Sequence, residues 1–383
     1  MDFTFTEEQD AVAEAAAGVF AGLATTERVA EAERDGDRFD AELWAALARA
    51  NLLGVAVPEA DGGSGLGITE LALVLEQQGR HVAPIPLWAT TVLGALPLAA
   101  FGSADLRSRW LPGVVTGEVR LSAALTEAAA SPQRRPVVAA SPDGGGWRLS
   151  GTAFAVPQAH LASRVLVPAA AGDGVVVALV DPSGPGARLE RAVTTDRQVH
   201  PHLHLDSYAL APEDVVVAPN EGAAAVEWMV ERALVGLCAI QLGVTEAALR
   251  RTAAYVNERH QFGRPLSSFQ ATMLRAADAF IDTEAIRVTL WQAAWRIDTG
   301  RSSAEAVTVA KWWASEAGQR VVHATQHLHG GVGADIEYPI HRYFLWGKQI
   351  ELMLEAPSAQ LARLGRIVAA ELGRPAVGSR SGA

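Results

Sequence analysis

Cysteine is almost missing from this chain: Cys238 is the only one, and it lies in the apolar run 233–243. One thiol cannot build an intrachain disulfide framework or a thiolate metal site, so a reducing, cytoplasmic setting is expected. Basic runs are missing too. Lys+Arg number 32 against Asp+Glu 43, a net charge of −11, and a duplex-binding surface needs clustered cations to displace counterions, so nucleic acid is not expected as a partner. The segment from Met1 to Glu8 lacks the basic start and apolar stretch of a secretion signal. Residues 82–104 carry no charge over 23 positions, but Pro84, Pro86, Gly94 and Pro97 break them into pieces too short to span a bilayer. They read as buried protein core, and no membrane partner is expected.

What is present is length and apolar content. A chain of 383 residues, 49% hydrophobic, has room for two to three domains at roughly 150 residues each. Thr6-x-x-Gln9 matches a capping box, and Val12, Ala16, Val19, Phe20 and Leu23 follow at helical spacing. Leu43, Trp44, Leu47, Ala48 and Leu52 form a second stripe, and Leu71, Val74 and Leu75 a third. Residues 1–120 therefore read as an N-terminal helical domain. The loop Gly62-Gly63-Ser64-Gly65-Leu66-Gly67 lacks the Gly-Lys-Ser/Thr ending of a phosphate loop and reads as a connection.

Residues 121–220 change texture to short apolar runs between turn-rich stretches, the pattern of a β-domain. Here His200, His202 and His204 alternate with Pro201, Leu203 and Leu205, so an extended segment would put all three on one face. A metal site is the sharp reading and a solvated edge-strand face the plain one; lacking further ligands nearby, the plain one is preferred. Residues 221–372 read as an antiparallel helical bundle, with helices over 223–258, 270–299, 303–328, 340–354 and 359–372 and a frayed tail over 373–383. His323 and His327, spaced i, i+4, have no Glu between them to make a zinc-hydrolase motif and read as helix packing; Trp291, Trp295, Trp312 and Trp313 read as core or subunit contacts.

Two segments carry chemistry. Glu258-Arg259-His260-Gln261-Phe262-Gly263-Arg264-Pro265 puts an arginine at a helix end before an aromatic and a glycine turn, leaving a guanidinium to fork onto a diphosphate beside an apolar plate. His327-Leu328-His329-Gly330-Gly331-Val332-Gly333 closes a helix with glycines that let a backbone or phosphate approach. Either alone could be a helix cap. With Leu52-Leu53-Gly54-Val55, Pro58-Glu59-x-x-Gly62-Gly63 and Ala124-Leu125-Thr126-Glu127 in the same order, the chain resembles the acyl-CoA dehydrogenase family over nearly its whole length. The run from His329 to Phe344 is most similar to the bacterial branch acting on steroid side-chain and other unusual acyl-CoA thioesters.

The resemblance implies a fold of N-terminal helical domain, middle β-barrel or sandwich and C-terminal bundle. It also implies FAD-dependent α,β-desaturation of an acyl-CoA or other acyl thioester, with an electron acceptor left open. In this family the cofactor lies across a subunit interface, and Arg259, Gln261, Phe262, Leu266, Gln270, His327, Gly330 and Gly331 match the residues holding the adenine-diphosphate end of a neighbour's FAD. His327 stands where Gln is usual. Thr126 is the match on the ring side. The ring side otherwise departs: Thr126-Glu127 run into Ala128-Ala129-Ala130-Ser131 without Gly-Ser-Asp, and Ala155-Val156-Pro157-Gln158-Ala159 replaces a strand that supplies an aromatic and a hydroxyl.

Glu355, in Leu354-Glu355-Ala356-Pro357-Ser358, is the candidate base. Ungapped counting puts Leu354 on the catalytic position, and a one-residue insertion restores Glu355. The alternative base positions on the long helix, Ala233 and Ile240, cannot titrate, and Glu231 is two residues out of phase. Three readings follow: a dehydrogenase in a dimer or dimer of dimers, with losses on one half of the site favouring a heteromer; a redox-silent partner or acyl-thioester-binding member of the fold; and a scaffold unrelated to CoA.

Overall fold

The computed structural model describes residues 4–131 and 135–373; all of the expected tail except Gly373 lies outside the described residues. The first helix, α1 (Glu7–Leu23), begins at the expected box. Thr6 Oγ1 accepts the Gln9 N–H at 3.2 Å, and Gln9 Oε1 accepts the Thr6 N–H at 3.0 Å. It is followed by α2 (Thr26–Ala32), α3 (Ala41–Arg49), α4 (Ile68–His81), a π-helix over Ala89–Ala95, α5 (Leu96–Phe101) and α6 (Ala104–Val115). Residues 82–95 are buried without exception, as the charge-free stretch implied.

The glycine loop does lead into a helix, but the chain itself occupies that helix end. The Asp298 carboxylate accepts from the N–H groups of Ile68 (2.8 Å) and Thr69 (3.0 Å) and from the Thr69 hydroxyl (2.5 Å). A carboxylate there satisfies orphan donors and meets the positive end of the helix dipole.

The middle domain is one mixed sheet of eight strands: β1 (Leu121–Ala123), β2 (Ala139–Asp143), β3 (Gly146–Ala153), β4 (Arg164–Ala171), β5 (Gly174–Val180), β6 (Ala187–Glu190), β7 (His202–Leu210) and β8 (Val215–Val217). The order is β6-β7-β3-β2-β4-β5-β8, and β1 runs parallel to the opening of β4. A short helix, α7 (Thr126–Ala130), interrupts the expected β-texture. The histidines do not share a solvated face. His200 is buried just before β7, while His202 and His204 are half-buried on the strand, because residues 193–199 turn back on themselves, Val193 bridging to Val199, instead of extending it. His204 Nε2 pairs with Glu190 at 2.9 Å.

The bundle comprises α8 (Gly222–Glu258), α9 (Gln270–Asp298), α10 (Ala304–Leu328), α11 (Ile340–Leu352) and α12 (Pro357–Glu371). It locks onto the N-terminal domain where α4 crosses α8: a Cβ on Gly243 would stand 2.0 Å from the Glu76 carbonyl oxygen, and one on Gly79 2.0 Å from that of Ile240. Glycine at both positions lets the backbones touch.

Two helix limits differ from expectation by two residues, the others by one at most. α11 stops at Leu352 rather than 354, because Met353 turns extended and Leu354 adopts φ +64°. α12 starts at Pro357 rather than 359, since proline's missing N–H costs nothing in a first turn. The tryptophans fill packing roles: Trp291 is buried edge-on to Phe5, Trp312 and Trp313 contact each other, and Trp295 lies under Arg301. His323 meets Phe344 edge-on at 4.9 Å, and His327 is exposed.

Candidate active site

Three separate places hold the residues of interest. The first is the far end of the bundle. After α8, β9 (His260–Gln261) and β10 (Arg264–Pro265) form a two-stranded hairpin whose tip, Phe262 at φ +55° and Gly263 at φ +78°, is the paired left-handed geometry of a tight hairpin turn. Phe262 is 92% exposed, an unusual state for an aromatic in a finished structure. Arg259 is exposed at the base of the hairpin, and no carboxylate among the described residues pairs with it. Gln261 and Gln270 are exposed, and Leu266 is half-buried beneath.

Across from the hairpin, α10 ends at His327 and Leu328, and Gly330 turns with φ +62°. A Cβ on Gly330 or Gly331 would meet nothing within 4 Å, so both face open space. The two segments meet through Tyr255, one turn before Arg259, which stacks on His329 with ring centres 4.5 Å apart. The exposed guanidinium, the aromatic plate and the open Gly-Gly turn fit the diphosphate end of a dinucleotide.

The second place is the β-domain segment expected on the ring side, where backbone groups are bonded within the chain. The Phe154 N–H donates to Glu127 Oε1 at 2.6 Å, and the Ala155 N–H donates to His202 Nδ1 at 3.0 Å. Pro157 offers no N–H, and its carbonyl accepts from Ser122 Oγ at 2.5 Å. Burial raises the Glu127 carboxyl above the usual range, opposed by the Phe154 N–H. Thr126 is half-buried at the first turn of α7. The cleft between Glu127, Val137, Ala153 and Pro168 measures about 10 Å³, room for one water. That enclosed space is too small for a flavin ring.

The third place is the turn after α11. Glu355 is 7% exposed; its Oε2 accepts from Gln360 Nε2 at 2.5 Å, and Arg363 Nη1 lies 3.8 Å from Oε1. Beside it Lys311 is wholly buried. Its ammonium donates to Ser315 Oγ (2.7 Å) and to the last carbonyls of α11, Ile350 (2.8 Å) and Glu351 (3.3 Å). Burial lowers it to about 8, with Cys238, Glu355 and Glu351 pulling the other way. Ala233 and Ile240 are buried in the core, and Glu231 accepts from the Ser303 hydroxyl at 2.8 Å. Lys311 and His327 are sixteen residues apart on α10, about 24 Å at 1.5 Å per residue. One chain therefore does not bring Glu355 and the Arg259 hairpin into a common site.

Sequence reasoning missed Lys311, the Glu127 and His202 latch, and the stack on His329. A lysine in the alanine-rich face Ala306-Val307-Ala310-Ala314 was the one available signal, since charge on an apolar helix stripe demands a partner.

The N-terminal helices match the acyl-CoA dehydrogenase N-terminal domain over residues 6–118, and the bundle matches the acyl-CoA dehydrogenase C-terminal domain over residues 220–353. The acyl-CoA dehydrogenase FadE27 of Mycobacterium tuberculosis is 38% identical, over 96% of this chain and 99% of the relative. Among solved structures, a variant of the Tcur3481–Tcur3483 steroid ACAD is 47% identical with a TM-score of 0.88, covering 96% of this chain and 99% of that one. The ChsE4–ChsE5 complex from Mycobacterium tuberculosis is 38% identical with a TM-score of 0.91 and the same coverage. The fold and these matches thus define a flavoprotein oxidoreductase acting on CH–CH bonds of acyl thioesters. This chain belongs to the acyl-CoA dehydrogenase family.

Proposed function

We propose that this chain is one subunit of a hetero-oligomeric, FAD-dependent acyl-CoA dehydrogenase, and that its bundle end holds the adenine-diphosphate half of a cofactor whose ring rests on a different subunit. The observation that carries this reading is the asymmetry of the two halves. Arg259, Phe262 and Gly330-Gly331 are open to a ligand from outside the chain, whereas the ring-side donors of Phe154 and Ala155 are already taken by Glu127 and His202.

An exposed apolar stripe on α9 runs from the hairpin: Met273, Leu274, Phe280, Ile281 and Val288, each 46–63% exposed, beside a groove of about 740 Å³. Such a surface suits a subunit contact. Two of the similar structures are themselves named as pairs of different chains. One of them is a steroid ACAD, which supports a bulky, ring-bearing acyl-CoA as substrate class.

When bound, FAD would take the hydride from the β-carbon. Arg259 would fork onto the diphosphate and Phe262 would cover the adenine end. Glu355 is the candidate to accept the α-proton, and its burial suits a base that must work out of water. Co-purification with the products of neighbouring genes, followed by a count of flavin per chain, tests the reading. Fewer flavins than chains are expected. Full flavin occupancy of the chain purified alone, with fast bleaching by acyl-CoA, would refute the heteromer.

A further inference from the structure

His329 stands between the two segments of the proposed cradle and touches neither by its polar edge. It is 2% exposed and packs in a triangle with two tyrosines, stacked on Tyr255 at 4.5 Å with planes 23° apart and tilted by 52° against Tyr338 at 5.3 Å. Tyr255 and Tyr338 in turn meet at 6.3 Å. The ring's Nδ1–H donates to the Thr325 carbonyl at 2.8 Å, which fixes the ring plane and leaves the lone pair on Nε2. That nitrogen is buried and has no partner among the described residues. Beyond the Thr325 bond, what this imidazole offers the two tyrosines is ring contact.

Both tyrosines lie on parts of the chain that lead directly into the cradle. The Tyr255 carbonyl accepts the Arg259 N–H at 2.8 Å, and the Arg259 carbonyl accepts the Leu266 N–H at 2.9 Å, so tilting Tyr255 tilts the whole hairpin base. The Tyr255 hydroxyl reaches the His329 carbonyl at 3.4 Å. His329 precedes Gly330, whose left-handed φ of +62° is the pivot of the second segment. Gln326 Nε2 bonds the Gly333 carbonyl and closes that turn from below. In this cluster the ends of α8 and α10 and the segment before α11 meet.

We infer that the Tyr255–His329–Tyr338 stack is a positioning clasp for the cofactor cradle: by holding α8 against α10 it sets the spacing between the Arg259 guanidinium and the Gly330-Gly331 turn, and thereby the affinity for a dinucleotide diphosphate. The inference rests on the reading of the bundle end as the FAD cradle. The clasp makes no contact with the ligand itself. Its action is pre-organisation, which strengthens binding without new contacts.

The test uses the assembled protein, co-purified with its partner subunit, and reads FAD dissociation by recovery of free-flavin fluorescence, with assembly followed by light scattering. His329→Ala is expected to weaken FAD binding about tenfold, the upper range for loss of an aromatic stack, while assembly and the denaturation midpoint of the rest of the fold change little. His329→Phe keeps the faces, loses only the bond to Thr325, and is expected to restore binding to within about threefold. Tyr255→Phe should behave like wild type and Tyr255→Leu like His329→Ala; this pair carries the test should His329→Ala fail to fold. Wild-type FAD retention in His329→Ala and Tyr255→Leu, or failure of both aromatic replacements to rescue, would overturn the clasp. Arg259→Ala separates the two ideas. If it loses FAD while the stack variants do not, only the clasp falls; if Arg259→Ala keeps FAD as well, the cradle reading itself falls.

Discussion

Lys311 offers a quantitative check on the turn that carries Glu355. Its ammonium is fully buried and lowered from 10.5 to about 8, chiefly by burial. A drop of that size corresponds to about 3 kcal/mol of unfavourable free energy for keeping the folded side chain charged at neutral pH. The offset is geometric: the ammonium satisfies Ile350 O, which would otherwise face the core, and adds to a bond that Ser315 Oγ already donates to Glu351 O at 3.1 Å; stranding the Ile350 carbonyl costs about 1–3 kcal/mol. Lys311→Met, similar in shape and uncharged, removes both effects at once. At pH 7 the two nearly cancel, so the variant should lie within about 2 kcal/mol of wild type.

The pH dependence is sharper. Between about 8 and 10.5 the unfolded lysine holds a proton that the folded one has released, so the wild-type fold gains stability as pH rises through that window. The variant has no such gain. Urea unfolding followed by tryptophan fluorescence, with Trp312 and Trp313 adjacent in sequence, should show wild type gaining about 3 kcal/mol on Lys311→Met between pH 7.5 and 10.5. Parallel profiles for the two proteins would refute the reasoning, because they would mean that the ammonium is not desolvated in the fold.

Arg259→Ala should weaken FAD binding in the assembled protein by about 2–3 kcal/mol, the loss of a charge-assisted bond, read by titration of flavin fluorescence. Gly243→Ala should destabilise the fold by about 3 kcal/mol or prevent folding, since its Cβ would lie 2.0 Å from the Glu76 carbonyl oxygen and 2.6 Å from the Arg80 nitrogen; a denaturation midpoint equal to wild type would contradict the crossing. Glu355→Gln should leave fold and flavin in place and abolish bleaching by acyl-CoA, because an amide cannot accept the α-proton; undiminished bleaching would remove Glu355 from the mechanism and leave proton abstraction to another subunit.

The helices were legible because each is specified over a few turns. Thr6 and Gln9 cap each other across three residues, and proline-free runs of good helix formers marked α8, α9 and α10 to within a residue or two. The glycine turn after Arg259 and the Gly-Gly turn were legible for a similar reason, a left-handed backbone favouring glycine, whereas the two-stranded hairpin around the first was not. The end of α11 was misplaced by two residues because its stop signal is Lys311, some forty positions earlier, and nothing between Ile350 and Leu354 announces it.

What the sequence determined by itself, then, is whatever a short stretch of chain settles: the element order, the helical and β-textured regions, and the glycine turns at Gly263 and Gly330. What only the tertiary structure decided is pairing across distance. Asp298 caps a helix 230 positions away, Glu127 and His202 shut the ring-side donors from two different elements, and Tyr255 finds His329 74 positions on. Buried polar groups and open aromatic faces must be matched, but any of many residues could match them, and only the packing of helices and sheet selects which one arrives.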